Sequence, residues 1–331
     1  MTVTDSPKTS MLRRQLIAAA GCCALAPSLS LSASFPSKPI KVIVPFPAGG
    51  GTDVLARAIG QRMSALLGQP VIVDNKPGAN GVIGADAIAK SEADGHSLLL
   101  TIASHAIAPA IYKKLPYSTD SDFVSVSLIA KYPYLFTVPA SLPVNTFQEF
   151  IAFVKAHPVK LSYASSGTGS GPHLGMELLN TLTGMDLMHV PYKGAAPANN
   201  DLAGGQVHAM LNNLLAAAPM IRSNRIKVLA VTSAHRSKAL PAVPTVAESG
   251  YPSYEVDGWY GLFAPAKTPD TAVALLADSV TKALKVPEVL SRLSGDGAIP
   301  VGSSPKEFFD FFKVEKIKWA AVAHKANVTV D

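Results

Sequence analysis

The sequence predicts an α/β fold of two lobes. Three observations carry that expectation. Short β-branched runs alternate with amphipathic helical patterns, a glycine-bearing turn joins each such pair, and the succession starts afresh from Pro139. The length of 331 residues suits two domains of roughly 100–150 residues each. Hydrophobic residues make up 48% and charged residues 16%, an ordinary globular balance that requires no nucleic-acid partner.

Residues 1–34 read as a secretory leader to be removed. "MLRRQLIAAAGCCALAPSLSLSAS" has a basic pair, an apolar stretch and a small-residue end. Pro27 breaks the apolar stretch, which falls short of the roughly 20 residues a membrane-spanning helix requires. Arg13 and Arg14 resemble the start of a twin-arginine signal. Cys22 after "AAAG" is a weak likeness to a lipoprotein box, with Ala19 where such a box prefers Leu or Val. Both cysteines, Cys22 and Cys23, fall in this segment, so the mature chain is expected to have no disulfide, thiolate metal site or Cys nucleophile. Taking Lys8, Arg13 and Arg14 from 29 basic residues and Asp5 from 23 acidic ones leaves a net charge of +4 rather than +6. That is a mild bias toward anions.

The elements follow in order. "IKVIVPF" reads as a buried parallel strand, and Val54, Leu55, Ala58, Ile59, Ala65 and Leu66 recur at helical spacing after it. "PVIVDN" is a second strand, "GANGVIGADAIAKS" a turn with a short helix, and "HSLLLTIA" a third strand ending at Ser104 and His105. From Pro139 the helix "TFQEFIAFVKAHP" leads into the strand "KLSYAS", the turn "SGTGSGP" and the helix "HLGMELLNTLTG". The strand "DLMHVPY", the turn and helix "GAAPANNDLAGG", the strand "VHAMLNN", the helix "LAAAPMIRSN" and the strand "IKVLAVTS" complete the second lobe. Residues 131–143 and 248–269, rich in Pro and aromatics, read as crossings between lobes, with Trp259 and Tyr260 packing there. Residues 35–138 with 256–331 would form one domain and residues 139–255 the other, two crossings making a hinge. In such parallel sheets, ligands sit at the carboxyl ends of the strands.

The stretch "IVPFPAGGGTD" ends a strand in three glycines, but it is not a P-loop, because no Lys follows them. Nor is it a dinucleotide fingerprint, since Val54 stands where the third glycine belongs. What its open backbone offers is an anion site at a helix start. Asp53 would repel an anion unless it turns back to cap the helix. "SSGTGSGPH" at 165–173 invites a hydrolase reading, yet the outer positions are Thr168 and Pro172 around Ser170, and Ala164 and Thr168 around Ser166. G-x-S-x-G fails on both. Hydroxyls and amides there suit a carboxylate instead. The histidines show no metal-ligand spacing and no carboxylate cluster joins them, so no metal and no cofactor are expected.

Six ordered motifs resemble one family across nearly all of the mature chain: "PIKVIVPFPAGGGTDVLAR", "VIVDNKPGANGVIGA", "SYASSGTGSGPHLGMELL", "HVPYKGAAPANNDLAGGQV", "IKVLAVTSAHRSKALPAVPTVAESGYP" and "WYGLFAPAKTP". The chain resembles the Bug-type receptors, the periplasmic solute-binding proteins of tripartite tricarboxylate transporters. The resemblance implies a periplasmic-binding-protein-like (Venus-flytrap) fold, each domain a mostly parallel sheet flanked by helices. It implies a receptor that is not an enzyme, a small carboxylate ligand, delivery to membrane transporter subunits, and a monomer. A sensor of the same fold acting on a signalling partner is the alternative, and an α/β hydrolase lacks its nucleophile and base.

Carried over motif by motif, the implied ligand-binding residues are Pro47, Ala48, Gly49, Gly50, Thr52 and Asp53 in the first loop and Ser166, Gly167, Thr168, Gly169 and Ser170 in the second. Asn80, Ser104, His105, His173, Tyr192, Gly194 and Asn212 would complete the wall. Many relatives carry an Asp close to Asn212, and the uncharged "MLNN" here argues against an ammonium-bearing ligand such as an amino acid.

Overall fold

Strand β1 (Ile40–Val44) buries Ile40, Val42, Ile43 and Val44, so side chains on both its faces are covered. The covering comes from a computed structural model's two mixed sheets and the helices that flank them. The model describes residues 35–157, 161–295 and 297–330; the expected leader lies outside these residues.

In the first sheet β1 pairs in parallel with β2 (Val71–Asn75) and β3 (Ser97–Thr101). Helix α1 (Gly51–Leu67) follows β1, a single 3₁₀ turn (Ala79–Gly81) runs into α2 (Val82–Ala89) after β2, and α3 (Ser104–Ile111) follows β3. The second sheet repeats this logic with β6 (Ser162–Ser165), β7 (Met188–Pro191) and β8 (Ala209–Asn212), parallel to one another. They lead into α5 (Gly171–Thr183), α6 (Ala195–Ala203) and α7 (Leu214–Arg222), with α4 (Phe147–Ala156) entering ahead of β6. Each βα junction therefore delivers a helix N-terminus to the carboxyl edge of its sheet.

The remaining strands depart from the expected parallel pattern. The segments read as crossings hold the end of one strand and the whole of two others. β4 (Phe123–Pro133) leaves the first sheet, Tyr134 bridges, and β5 (Leu135–Pro139) enters the second, pairing antiparallel with β8 and with β9 (Ile226–Val231). The return strand β10 (Asp257–Pro265) inserts antiparallel between β3 and β4, and β11 (Ile299–Pro300) closes the edge, giving the order β11-β4-β10-β3-β1-β2. The second sheet reads β7-β6-β8-β5-β9. A chain that arrives from the other lobe has no crossover helix to turn it round, so it enters against its neighbours.

After β10 come α8 (Asp270–Ala283), α9 (Pro287–Gly295) and α10 (Pro305–Lys325), the last opened by a capping box between Ser304 and Glu307. Glu315 on α10 is 4% exposed and holds two indoles with one oxygen. Trp259 Nε1 donates to its Oε2 at 3.0 Å and Trp319 Nε1 at 2.9 Å. The main core runs through both sheets, from Ile40 and Leu99 to Phe136 and Leu174, while a smaller cluster around Leu135, Ala164, Leu202 and Met210 lies on the second sheet's other face.

Candidate functional site

Beyond Val44 the chain is freed from the sheet by Pro45 and Pro47, which have no N–H to donate to a ladder. Pro47, Ala48, Gly49 and Gly50 are exposed. Gly50 is the N-cap of α1 and supplies no side-chain cap, so the first-turn amides keep the open valence that every helix start has. Thr52 and Asp53 are buried. Asp53 turns back into the helix: Gly49 N donates to its Oδ2 at 2.9 Å, Arg57 Nε donates to the same oxygen at 3.1 Å, and Arg57 also pairs with Oδ1 at 3.0 Å. Burial pushes the Asp53 carboxyl up, but the hydrogen bonds from Arg57, Gly49 and Asn75 together outweigh it and hold it below the ordinary value. The loop's one acid is thus paired with Arg57 and takes up the amide of Gly49, one of the exposed loop's own.

A stability test follows from that geometry. The folded pKa of Asp53 lies below its unfolded value, so the stabilisation is complete above the ordinary value of 3.8 and is lost as pH falls through the folded value. Asp53→Asn is expected to lower the unfolding free energy by about 1 kcal/mol at neutral pH, a figure discounted because Arg57 is half exposed. Urea midpoints of the two proteins should converge as the pH falls below that ordinary value; a constant gap down to strong acid would contradict the assigned role.

The second loop is organised by its own hydroxyls. Ser165 Oγ and Ser170 Oγ both donate to Gly167 O, at 3.1 and 2.7 Å, and Ser170 caps α5 by accepting from His173 N. Gly167 and Gly169 take φ of +139° and +77°. Ser165 and Ser170 therefore do not join the donor wall, whereas the half-buried hydroxyls of Ser166 and Thr168 make no hydrogen bond to any described residue. Beneath the loop His173 accepts from Gly169 N through Nδ1 at 3.1 Å and stacks on His189 at 3.7 Å, and His189 Nε2 meets Ser165 Oγ at 2.6 Å. Burial drives His173 down to about 3, with His189 adding to the effect, and burial drives His189 to about 4, so both rings are neutral struts. Ser165 beside His189 is no nucleophile with its base. The serine is wholly buried and its oxygen is tied to Gly167. His189 escaped the sequence reading because a single His inside a short apolar strand has no spacing signal.

The two loops meet through the turn at 78–81. Pro45 and Phe46 lie about 3.6 Å from the position a Cβ on Gly81 would take. Asn80, held at φ +50°, brings its Nδ2 to 3.5 Å from the Cβ position of Gly169, and Ile111 Cδ1 would sit 2.2 Å from that same position. Gly169 therefore has to be glycine for the lobes to approach. Two consecutive non-glycine residues at positive φ, Ala79 and Asn80, are a strain of the kind that gathers at ligand sites. Gly51 and Val54 share a small cavity of about 30 Å³ with Leu215 of α7, a second point where the first lobe faces the second.

Other expected wall residues divide. Ser104 begins α3 with its hydroxyl buried and unpartnered. Gly194 N reaches Ser166 O at 3.3 Å and Tyr192 N reaches Ser165 O at 3.0 Å, placing both residues behind the second loop, with the Tyr192 hydroxyl donating to Asp201. His105 is elsewhere: its ring is enclosed by Tyr117, Phe123, Phe263 and Phe312, and burial, helped by Lys316, lowers it to about 3. One residue past Ser104 on a helix, it points into the core rather than the cleft. Asn212 spends both amide hydrogens, on Thr137 Oγ1 at 3.0 Å and Asn199 Oδ1 at 2.8 Å. Those partners are acceptors there, because Thr137 donates to Met210 O and Asn199 to Ala216 O. What Asn212 leaves without a partner is its Oδ1, an acceptor, so it cannot hold a carboxylate. Among the described residues no group of His, Cys, Asp and Glu could hold a metal ion, and no helix is long and apolar enough to cross a membrane.

The model of one family, described as the tripartite tricarboxylate transporter family receptor, matches residues 55–328. Three solved structures resemble this chain over nearly their whole length. A Rhodopseudomonas palustris protein solved with adipate is 38% identical, with a TM-score of 0.81, over 89% of this chain and 99% of its own. The periplasmic binding protein BugD is 36% identical, with a TM-score of 0.79, over 89% and 99%. MatC from Rhodopseudomonas palustris, solved with bound malate, is 35% identical, with a TM-score of 0.78, over 87% and 99%.

Proposed function

Since the chain belongs to the tripartite tricarboxylate transporter receptor family, a family of solute-binding receptors rather than enzymes, we propose that it captures one small carboxylate between its two glycine loops and delivers it to membrane transporter subunits. The observation that carries this reading is the exposed, glycine-lined start of α1, whose own acid is folded back onto Arg57. An anion there meets first-turn amides and the positive end of the helix dipole, and the one carboxylate of that turn is paired with Arg57. The free hydroxyls of Ser166 and Thr168 and the start of α5 supply the second jaw. Adipate and malate in the two similar structures are both small dicarboxylates, which supports the ligand class.

In this reading the two sheets are the hearts of two domains, joined where Tyr134 links β4 to β5 and where Val256 leads into β10. The chain reaches the periplasm by its N-terminal leader and works as a monomer. Closing the domains would bury the carboxylate. A dissociation constant near ~1 μM corresponds to about −8 kcal/mol, which several charge-assisted hydrogen bonds at about 1.5–3 kcal/mol each can supply after ordering costs.

Ligand-stripped protein melted with succinate, malate, adipate and citrate tests it. At least one acid, at about a hundred times its Kd, should add about 2.7 kcal/mol of stability and raise Tm by roughly 5 °C or more, while the corresponding neutral amides do nothing. Folded protein that responds to none of the acids would overturn the ligand class.

A further inference from the structure

The first lobe has a hollow of about 150 Å³ walled by Phe123, Phe263, Phe309 and Phe312. Phe123 opens β4, Phe263 lies on β10 and the other two belong to α10, so neither glycine loop takes part. This hollow shares Asp120, Lys313 and Lys316 with an adjoining one of about 360 Å³, which is lined besides by Pro109 and Ala110 of α3 and by Ile317 and Ala320 of α10. We propose that the two hollows form a second ligand site, taking a small aryl carboxylate whose ring enters the phenylalanine pocket and whose acid group reaches Lys313.

Three features fix that chemistry. The first is the shape and lining of the pocket. About 150 Å³ is the volume in which an engineered apolar cavity accepts benzene, and the larger hollow beside it has room for a short chain. Phe123 and Phe263 already meet edge to face at 6.4 Å, and Phe263 and Phe312 at 4.9 Å, so an aromatic guest extends a cluster of that geometry. The second feature is apolar surface left open beside the pocket. α10 buries Phe308, Phe312, Trp319 and Val322 against the core, while Phe309 and Ile317 are 56% and 63% exposed. With Lys313 midway between them at four-residue spacing, they form one row for a ligand body to cover.

The third feature is charge. Lys316 pairs with Asp120, and one turn before Lys313 the pair of Lys306 and Asp310 closes at 2.6 Å. Lys313 has no partner among the described residues, so the two hollows carry one uncompensated positive charge and no uncompensated negative one. An anion with an apolar body suits such a lining, and a cation does not. Thr119 and Ser125, each 6% exposed, also line the smaller hollow, and neither hydroxyl has a hydrogen-bond partner among the described residues. They give the aromatic wall the few polar groups that orient a ligand.

The test is calorimetric titration with 3-phenylpropionate at neutral pH. Because this probe is itself a carboxylate, it is titrated into Gly50→Leu, whose new side chain covers the α1 amides of the cleft. One saturable site is expected there. In that background Lys313→Glu should weaken binding about tenfold or more and Phe309→Ala about fivefold or more. Both residues are exposed, so the fold tolerates both changes. The uncharged 3-phenylpropanol should bind at least about tenfold more weakly than the acid. Introduced singly into the parent chain, Lys313→Glu and Phe309→Ala should keep the rise in Tm induced by the acid panel, which separates this site from the glycine loops. No saturable binding to Gly50→Leu up to about 10 mM, equal binding of the alcohol, or binding untouched by both substitutions would overturn the proposal.

Discussion

Gly50→Leu is expected to abolish the carboxylate-induced rise in Tm while leaving the Tm of the empty protein within about 2 °C of the parent. Gly50 has φ −74° and ψ 164°, an extended conformation any residue adopts, and an added Cβ would meet only Pro47 O at 3.4 Å. The fold therefore tolerates a side chain there. The ligand does not, because a leucine at the N-cap lies over the amides that the anion needs. Losing two such hydrogen bonds costs about 3–6 kcal/mol, or about 10²- to 10⁴-fold in affinity. Differential scanning fluorimetry with and without the best acid of the panel reads both quantities. A variant that still responds would place the carboxylate elsewhere. The same change at Gly169 would be a poor probe, because φ +77° and the approach of Ile111 would strain the empty protein as well.

The largest loss of stability is expected from Glu315→Ala, about 3–5 kcal/mol in the urea-derived unfolding free energy with an unchanged m-value. Its carboxylate is the hydrogen-bond acceptor for both Trp259 and Trp319, so its removal strands two buried indole donors together with the cavity it leaves. Glu315→Gln keeps an oxygen for the indoles and should lose less than half as much. A Glu315→Ala loss below about 1 kcal/mol would mean that water replaces the carboxylate. Glu315 is bonded to Trp259, Trp319 and Lys318 and to neither glycine loop, so the folded fraction of either variant should still respond to the carboxylate.

The strand–turn–helix units were legible because each pairs a β-branched run with a 3.6-residue pattern, as "IKVIVPF" and its following helix do. The crossing strands were not. Every residue of β5 is buried, as are eight of the eleven in β4 and eight of the nine in β10, so the faces do not alternate. Their Pro, Gly and aromatic content reads as linker. At the site, the open backbone was legible from the glycines, and the folding back of Asp53 from the repulsion between a carboxylate and an anion. Other side chains were not so easily placed: Ser104 and His105 are adjacent in sequence yet face different surroundings, and which hydroxyls of "SSGTGSGPH" are spent on the loop itself depends on hydrogen bonds between residues two and three apart. The donor-spent state of Asn212 rests on Thr137, seventy-five residues away in the chain. No local pattern carries that.

The insertion of β10 between β3 and β4 has a consequence for the order in which the chain can acquire structure. The second sheet is assembled from one uninterrupted stretch, Leu135–Val231, whereas the first waits for Asp257–Pro265 before its central strand exists. During synthesis, the lobe encoded in the middle of the chain can close first, and the one that begins the chain stays an unfinished three-stranded fragment until almost the whole polypeptide has emerged.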